Sequence, residues 1–411
     1  MASNTVGSLD GWFKKRYAKK ALVAPPEHYK LLKSFPKLGS LQPVGEEYVV
    51  PVTMKDPSGF TYANSGSDAF ALEPPDPGKT ERAKLTANQI VLQDAVAWEA
   101  QSISEEGYDS AYGPVFDLTI RRMRKRFNHR LESSMLYGGT EIGKVKSAVT
   151  GAAGSITMDV ADWSPGEFIG AEGQSIEIYN GATKVGEMKI TGVDPETYKL
   201  YGNVPAGTAA NYTIWWKGSK GKEMIGIYTA LSTAGTLWNI NNDPSAGGYS
   251  QWKGNSITVS GALTWDNYIQ KGVERATNKG AEGELFLMVN PSSWRGLMND
   301  EAGLRAYDKS YDPKKAKQGF EDIQFHGQNG IITVMAYPFL KNGHAMLLDK
   351  ETWIRIGSQE PTFRPPGVGP SDPYIQRMER NAGFLATMYT NQTIFSEKVG
   401  ANTLFTGITP T

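Results

Sequence analysis

Residues 55–84 read KDPSGFTYANSGSDAFALEPPDPGKTERAK, thirty residues rich in Pro, Gly, Ser and Asp with no helical or strand period. They separate two segments of strand character, EYVVPVTM at 47–54 and QIVLQDAVAW at 89–98. Pro51 removes a backbone donor and confines the first strand to an edge or an isolated ribbon. Loops beyond about 15 residues are uncommon inside a compact domain. The segment therefore reads either as an arm that projects and finds its partners elsewhere or as a solvated surface loop.

The charge distribution bears on that choice. The chain is neutral overall, with 43 Lys+Arg against 43 Asp+Glu. The balance is uneven along its length. Residues 1–40 hold eight Lys/Arg and two acids, residues 41–110 hold four and twelve, and residues 111–137 hold six and two. Such blocks of alternating sign suit surfaces that meet one another. A neutral total argues against a dedicated nucleic-acid binder, which usually runs basic.

The third block is also the clearest helix. Phe116, Ile120, Met123, Phe127, Leu131 and Met135 fall on one face at helical spacing. Arg122, Arg126 and Arg130 form a second stripe, widened by Arg121, Arg124 and Lys125. Asp117 suits the first turn, and Gly138-Gly139 supplies a stop. From Val115 to Tyr137 such a helix spans about 35 Å. A second, short basic helix fits 10–22, with Lys14, Lys15, Arg16, Lys19 and Lys20, ended by Pro25-Pro26. It reads as a solvated tail or as an arm docking on a neighbour.

Residues 144–222 change character. SITMDV, SIEIYN, KVGEMKITGV, TYKLYGNV and NYTIWWKG are short alternating strands split by Gly, Asn and Pro, as in a small all-β module between helical parts. Beyond Thr264 the pattern is mixed. TWDNYIQKGVERATNKG reads as a helix closed by Gly280, ELFLMVNP as a buried strand, and the next helix starts at Pro291. IQFHGQNGIITVMAYPF reads as a hairpin turning at Gly327–Gly330. The whole is α+β.

Catalytic signals are weak. There is no Cys, which excludes disulfides and thiolate chemistry and fits a reducing compartment. The four histidines, His28, His129, His326 and His344, show no metal-ligand spacing. Gly138–Val145, GGTEIGKV, begins like a phosphate loop but places Val145 where Ser/Thr would hold magnesium, and it follows a helix rather than a strand. No catalytic, cofactor or metal residue is assigned, and the chain reads as a non-enzyme. The Trp residues, among them Trp215, Trp216, Trp238, Trp252, Trp294 and Trp353, leave a carbohydrate-binding or carbohydrate-active β-rich protein as a reading of a different class. No apolar run is long enough for a membrane span, and the N-terminus does not read as a signal peptide.

The order of parts resembles the major capsid proteins of tailed bacteriophages, with the Hong Kong 97-like fold. LESSMLYGG, GKEMIGIYTAL, LWNIN followed by QWKGN, ELFLMVNPSSW, RAYDKSYD, FEDIQFHGQNGI, TWIRIGSQEPTF and NAGFLATMYTNQTIFSEKV carry the likeness in order. The resemblance implies an N-terminal arm at 1–40, an extended two-stranded loop at 41–105, and the spine helix of a peripheral domain at 106–143. It implies an inserted β-rich domain at 144–222, with peripheral and axial domains at 223–411. It further implies pentamers and hexamers that build an icosahedral shell around double-stranded DNA, assembled in the bacterial host cytoplasm and ending as part of the virion. Partners implied are a portal protein, a decoration protein in some shells, and a scaffolding protein. The short arm ahead of the loop favours a separate scaffold over a built-in one. On this reading Lys14, Lys15, Arg16, Lys19, Lys20, Arg121, Arg122, Arg126 and Arg130 face the inner surface or a neighbour, with non-specific contact to DNA. Glu46, Glu47, Lys55, Lys79, Arg82 and Lys84 make the loop contacts. The alternative within the fold is an encapsulin-type nanocompartment. No cofactor is expected.

Overall fold

The computed structural model of the chain describes residues 30–38, 47–66, 69–106, 115–298, 323–328, 330–364, 375–379 and 381–409. Lys14, Lys15, Arg16, Lys19 and Lys20, Glu46 and the RAYDKSYD segment lie outside the described residues.

Helix α1 (Lys30–Ser34) precedes a hairpin of β1 (Glu47–Lys55) and β2 (Lys79–Thr86). The sequence reading put the return strand at 89–98; the structure pairs Tyr48 with Leu85, Val50 with Ala83 and Val52 with Glu81 instead. KTERAKLT hides its strand character because one face is solvated and only Ala83 and Leu85 are buried. Alternation puts Tyr48, Val50, Val52 and Met54 on the other strand's inner side, packed with the largest core. The strands thus lie on the body, and what stands clear of it is the tip, described at residues 56–66 and 69–78.

Strand β3 (Asn88–Ala97) belongs to the body, not to the hairpin. It pairs along its length with a long strand near the C-terminus, Asn88 opposite Gln392 through Ala97 opposite Gly383. Helix α2 (Trp98–Glu106) follows, then α3 (Val115–Tyr137). The apolar stripe of α3 seats Met123 and Phe127 on Ala386 and Met388, while Leu131, Met135 and Leu136 enter the largest core. At its start the stripe is rotated from the sequence reading. Val115 and Leu118 are buried, whereas Phe116 and Ile120 are only partly covered. Phe116 instead meets Phe384 edge to face at 5.3 Å.

The helix ends where the sequence stops it. Gly138 N–H donates to Ser134 O at 2.8 Å, and Gly139 takes φ 83°. A Cβ on Gly138 would sit 2.4 Å from Met224 O, so only glycine fits. The chain next forms a closed barrel of β4 (Gly143–Val149), β5 (Gly151–Met158), β6 (Ser175–Asn180), β7 (Thr183–Asp194), β8 (Lys199–Val204) and β9 (Thr213–Trp216), in the order β4-β5-β8-β7-β6-β9. Closure leaves no free sheet edge. Ile156, Met158, Trp163, Phe168, Ile176, Ile178, Ile190, Leu200 and Ile214 fill it, each worth about 1.5–3 kcal/mol when fully buried. A short helix, α4 (Pro165–Phe168), lies on the way from β5 to β6.

The chain returns to the body through α5 (Ile227–Ser232), and Gly226 N–H donates to Gly138 O at 2.9 Å. After the short ribbon β10 (Thr236–Leu237) and β11 (Ile240–Asn241) come β12 (Asn255–Gly261), α6 (Gln270–Thr277), β13 (Leu285–Val289), α7 (Pro291–Met298), β14 (Ile323–Gly327), β15 (Gly330–Ala336) and β16 (Ala345–Asp349). With β20 (Thr403–Ile408) they form a mixed sheet, β12-β20-β16-β13-β15-β14. Strands β17 (Trp353–Thr362), β18 (Ile375–Arg377) and β19 (Gly383–Ser396) make the second sheet with β3. The body is α+β.

Candidate assembly surfaces

The hairpin tip carries the largest apolar exposure in the described chain. Phe60, Tyr62, Phe70 and Leu72 are 69%, 90%, 54% and 77% exposed. A cluster of large apolar side chains in water marks a contact surface more than a lone exposed residue does. The tip is nonetheless organised. Asp76 accepts from Lys55 Nζ at 2.6 Å and from Ser58 Oγ at 2.5 Å, and these bonds hold its carboxyl below the ordinary value. Ser58 N–H donates to Asp76 O at 3.0 Å.

Lys55, Lys79 and Lys84 each find an acid inside the same hairpin: Asp76, Glu81 at 2.7 Å and Glu47 at 3.4 Å. Exposed pairs of this kind contribute about 0–1 kcal/mol and exchange partners at little cost. Arg82 lies exposed on the outer face of β2. Tyr249 Oη, at 3.3 Å from Glu81, helps anchor the base of the hairpin, as does Lys84 N–H to Trp238 O at 2.9 Å.

The basic face of α3 divides in two. Arg121, Arg122 and Arg124 are exposed, and Lys125 and Arg126 are partly covered. Arg130 departs from the sequence reading, because it turns inward and is used within the chain. It pairs with Glu167 at 3.5 Å, donates to Gln174 Oε1 at 2.6 Å, and lies 3.8 Å over the Trp216 ring. Burial pushes its pKa down to about 10, with Glu167 pulling the other way. Its partners lie on the barrel side of the fold, 37 residues or more along the chain, so no local pattern foretold them.

Around this clamp the barrel is stitched to the body. Ser164 Oγ donates to Phe339 O at 2.8 Å, Gly166 N–H to Pro338 O at 2.8 Å, and Asn342 N–H to Trp163 O at 2.9 Å. Lys341, 4% exposed, donates to Glu141 O at 2.9 Å and pairs with Asp162 at 3.5 Å. His129 lies 2.6 Å from Gly166 O; burial pushes its pKa down to about 4, so it is neutral near pH 7 and donates from Nε2. His344, pushed to about 3 by burial and then by Lys341, stacks on Tyr228 at 4.9 Å. Glu223, beside Arg130, is raised to about 7 by burial.

A second buried carboxylate fastens the N-terminal side. Glu132 is 0% exposed and accepts from the N–H groups of Leu31 at 2.7 Å and Leu32 at 2.9 Å, and from the Tyr337 hydroxyl. The sequence reading missed it, because a lone Glu inside a basic helix carries no signal of its own.

Of the tryptophans that suggested a sugar platform, Trp215, Trp216, Trp238, Trp252 and Trp353 are 7% exposed or less, and Trp294 is partly buried against the core of the mixed sheet. GGTEIGKV runs from helix end through a turn into β4, with Lys144 in the strand. Among the described residues no group of three or more His, Asp or Glu is placed to hold a metal ion. No helix there is long and apolar enough to cross a membrane.

No family model and no curated protein matches the chain. Solved structures do. The capsid asymmetric unit of cyanophage A-1(L) matches at 10% identity over 96% of this chain and 97% of its own, with a TM-score of 0.55. The capsid of the native GTA particle matches at 9% identity over 99% and 100%, with a TM-score of 0.50. The capsid of cyanophage P-SCSP1u matches at 8% over 100% and 97%, also at 0.50. What is shared at such identity is the arrangement of the chain from end to end: it has the fold of the subunits of these capsids.

Proposed function

We propose that the chain is a structural major capsid protein that assembles into an icosahedral shell enclosing the double-stranded DNA of a tailed phage. The observation that carries this is the hairpin tip, which presents Phe60, Tyr62, Phe70 and Leu72 to water on a subunit whose fold is that of capsid proteins. A segment that buries no core of its own is stabilised by a neighbour, and a heterologous contact passed around a ring closes into pentamers and hexamers. In this reading 47–86 is the extended loop, α3 is the spine helix, the barrel is an inserted domain, and the two body sheets supply peripheral and axial domains. The chain then works as a virion component and not as an enzyme.

The exposed arginines Arg121 and Arg122, with Arg126 beside them, face acidic neighbours or the phosphates of the packaged DNA. Zero net charge keeps that contact weak and non-specific, which suits a genome that has to leave. A separate scaffolding protein, a portal and, in some shells, a decoration protein are the partners this reading adds. The same fold around an enzyme cargo would be an encapsulin-type compartment, and the contents of purified particles distinguish the two.

The test replaces Phe60, Tyr62, Phe70 and Leu72 together by Ser. The expected result is a folded subunit with unchanged circular dichroism that forms no closed particles by negative-stain microscopy. Particles at wild-type yield would sink the proposal.

A further inference from the structure

Away from the tip, the helix face and the barrel clamp, three cations converge on one concavity. Lys253 stands in the turn ahead of β12, Arg275 on the last turn of α6, and Lys279 just past its end. With Ser232, Ser256 and Asn278 they line a cavity of about 510 Å³ open to solvent.

The chain builds this site tightly. Gly280 at φ 89° closes α6, and Lys279 N–H bonds back to Ala276 O at 3.1 Å. Gly254 presses the Lys253 turn onto the end of α5; a Cβ there would lie 2.7 Å from Leu231 O. Lys279 Nζ donates to Lys253 O at 2.8 Å, and Arg275 Nη1 donates to Ser256 O at 3.0 Å. Lys279 and Arg275 are thus each held in place by one carbonyl, while an ammonium has three donors and a guanidinium five.

No carboxylate lines the cavity, and among the described residues none of the three cations is in an ion pair. Asp243 feels the charge of Lys253, but its carboxylate is held by Ser245, through Oγ at 2.8 Å and N–H at 3.1 Å. The Lys279 pKa is pushed down by burial and then by repulsion from Lys253 and Arg275. The negative end of α6 accounts for cations at its own last turn. It does not account for Lys253, which comes from a different element, nor for the cavity between them.

We propose that this cavity binds a phosphate group. Three converging cations match the charge and the several acceptor oxygens of a phosphate, whereas one carboxylate would leave repulsion unrelieved. The group can come from free inorganic phosphate or from a nucleic-acid strand. The proposal does not depend on shell formation, since a lone subunit carries the whole site.

The test titrates the full-length soluble subunit with inorganic phosphate in a chloride buffer, followed by ³¹P line broadening and calorimetry. Saturable one-to-one binding is expected, weakened about tenfold or more in R275Q/K279Q. It should be unchanged in K146Q/K189Q, which removes the same charge from the exposed barrel surface. A short single-stranded oligonucleotide that competes with phosphate identifies nucleic acid as the source; one that does not compete leaves the free anion. Absence of saturable binding to the wild-type chain overturns the proposal without any variant. Equal loss in both double variants overturns it too, as does an R275Q/K279Q change that alters only self-association.

Discussion

The barrel at 143–216 and the hairpin tip at 56–78 treat water in opposite ways. In the barrel every strand has two partners, and Trp163, Phe168, Ile176 and Ile178 are 2% exposed or less. In the tip the large apolar side chains are exposed, and hydrogen bonds such as those centred on Asp76 and the one from Glu73 N–H to Thr61 Oγ1 give it shape. One region satisfies itself; the other, on the proposed reading, is completed by a neighbour. On that reading the chain has its folding energy in one place and its association energy in another.

The contrast breaks first, and by the largest amount, under truncation. Ile178→Ala in the barrel is expected to destabilise the subunit by about 2–5 kcal/mol in chemical denaturation. Leu72→Ala in the tip should leave subunit stability within about 0.5 kcal/mol and lower particle yield instead. Comparable stability losses at both sites would erase the distinction.

Next is the clamp that ties barrel to body. Arg130→Met leaves Glu167 as a buried carboxylate without its cation, a change expected to cost about 3–5 kcal/mol. Hydrogen exchange should quicken at 159–168 and 337–344 before it does so in the barrel strands. Uniform exchange throughout would mean that the barrel is no separate unit of stability.

A smaller effect is pH-dependent. Glu223 has a folded pKa of about 7, above its ordinary 4.5, so its ionisation costs stability as pH rises through that window. Glu223→Gln should therefore gain little below pH 4.5 and on the order of 1–2 kcal/mol above pH 7. His129, depressed to about 4, acts in the opposite sense, losing its contribution as pH falls from 6.5. The difference between wild type and E223Q melting curves isolates the carboxylate. Smallest of all, Lys55→Met should leave the chemical-denaturation midpoint of the subunit unchanged, since the Lys55–Asp76 pair is exposed.

Legibility in the sequence followed the same divide. Five barrel strands could be read because a closed, half-buried strand alternates. The sixth, GKVKSAV, was obscured by its likeness to a phosphate loop, although it closes the barrel by pairing with both β5 and β9. Strand β2 was hidden because its outer face is charged and its inner face offers only Ala83 and Leu85. Helix α3 was plain from its period, yet nothing local distinguished Arg130 from its exposed neighbours. Its ring partner is Trp216 and its acid is Glu167, and only the tertiary fold brings them to it. Glu132 was missed for the same reason: its partners are at Leu31, Leu32 and Tyr337.

Gly138 and Gly226, joined by one backbone hydrogen bond, put the departure and the return of the polypeptide at a single point. Everything between them is a detour on the covalent thread, closed at its neck and held down at the 337–344 strap. Lengthening, exchanging or dropping such a detour would require mending that strap and giving Arg130 and His129 of α3 new partners. The same neck is where an engineer would splice in a foreign module without cutting the body apart.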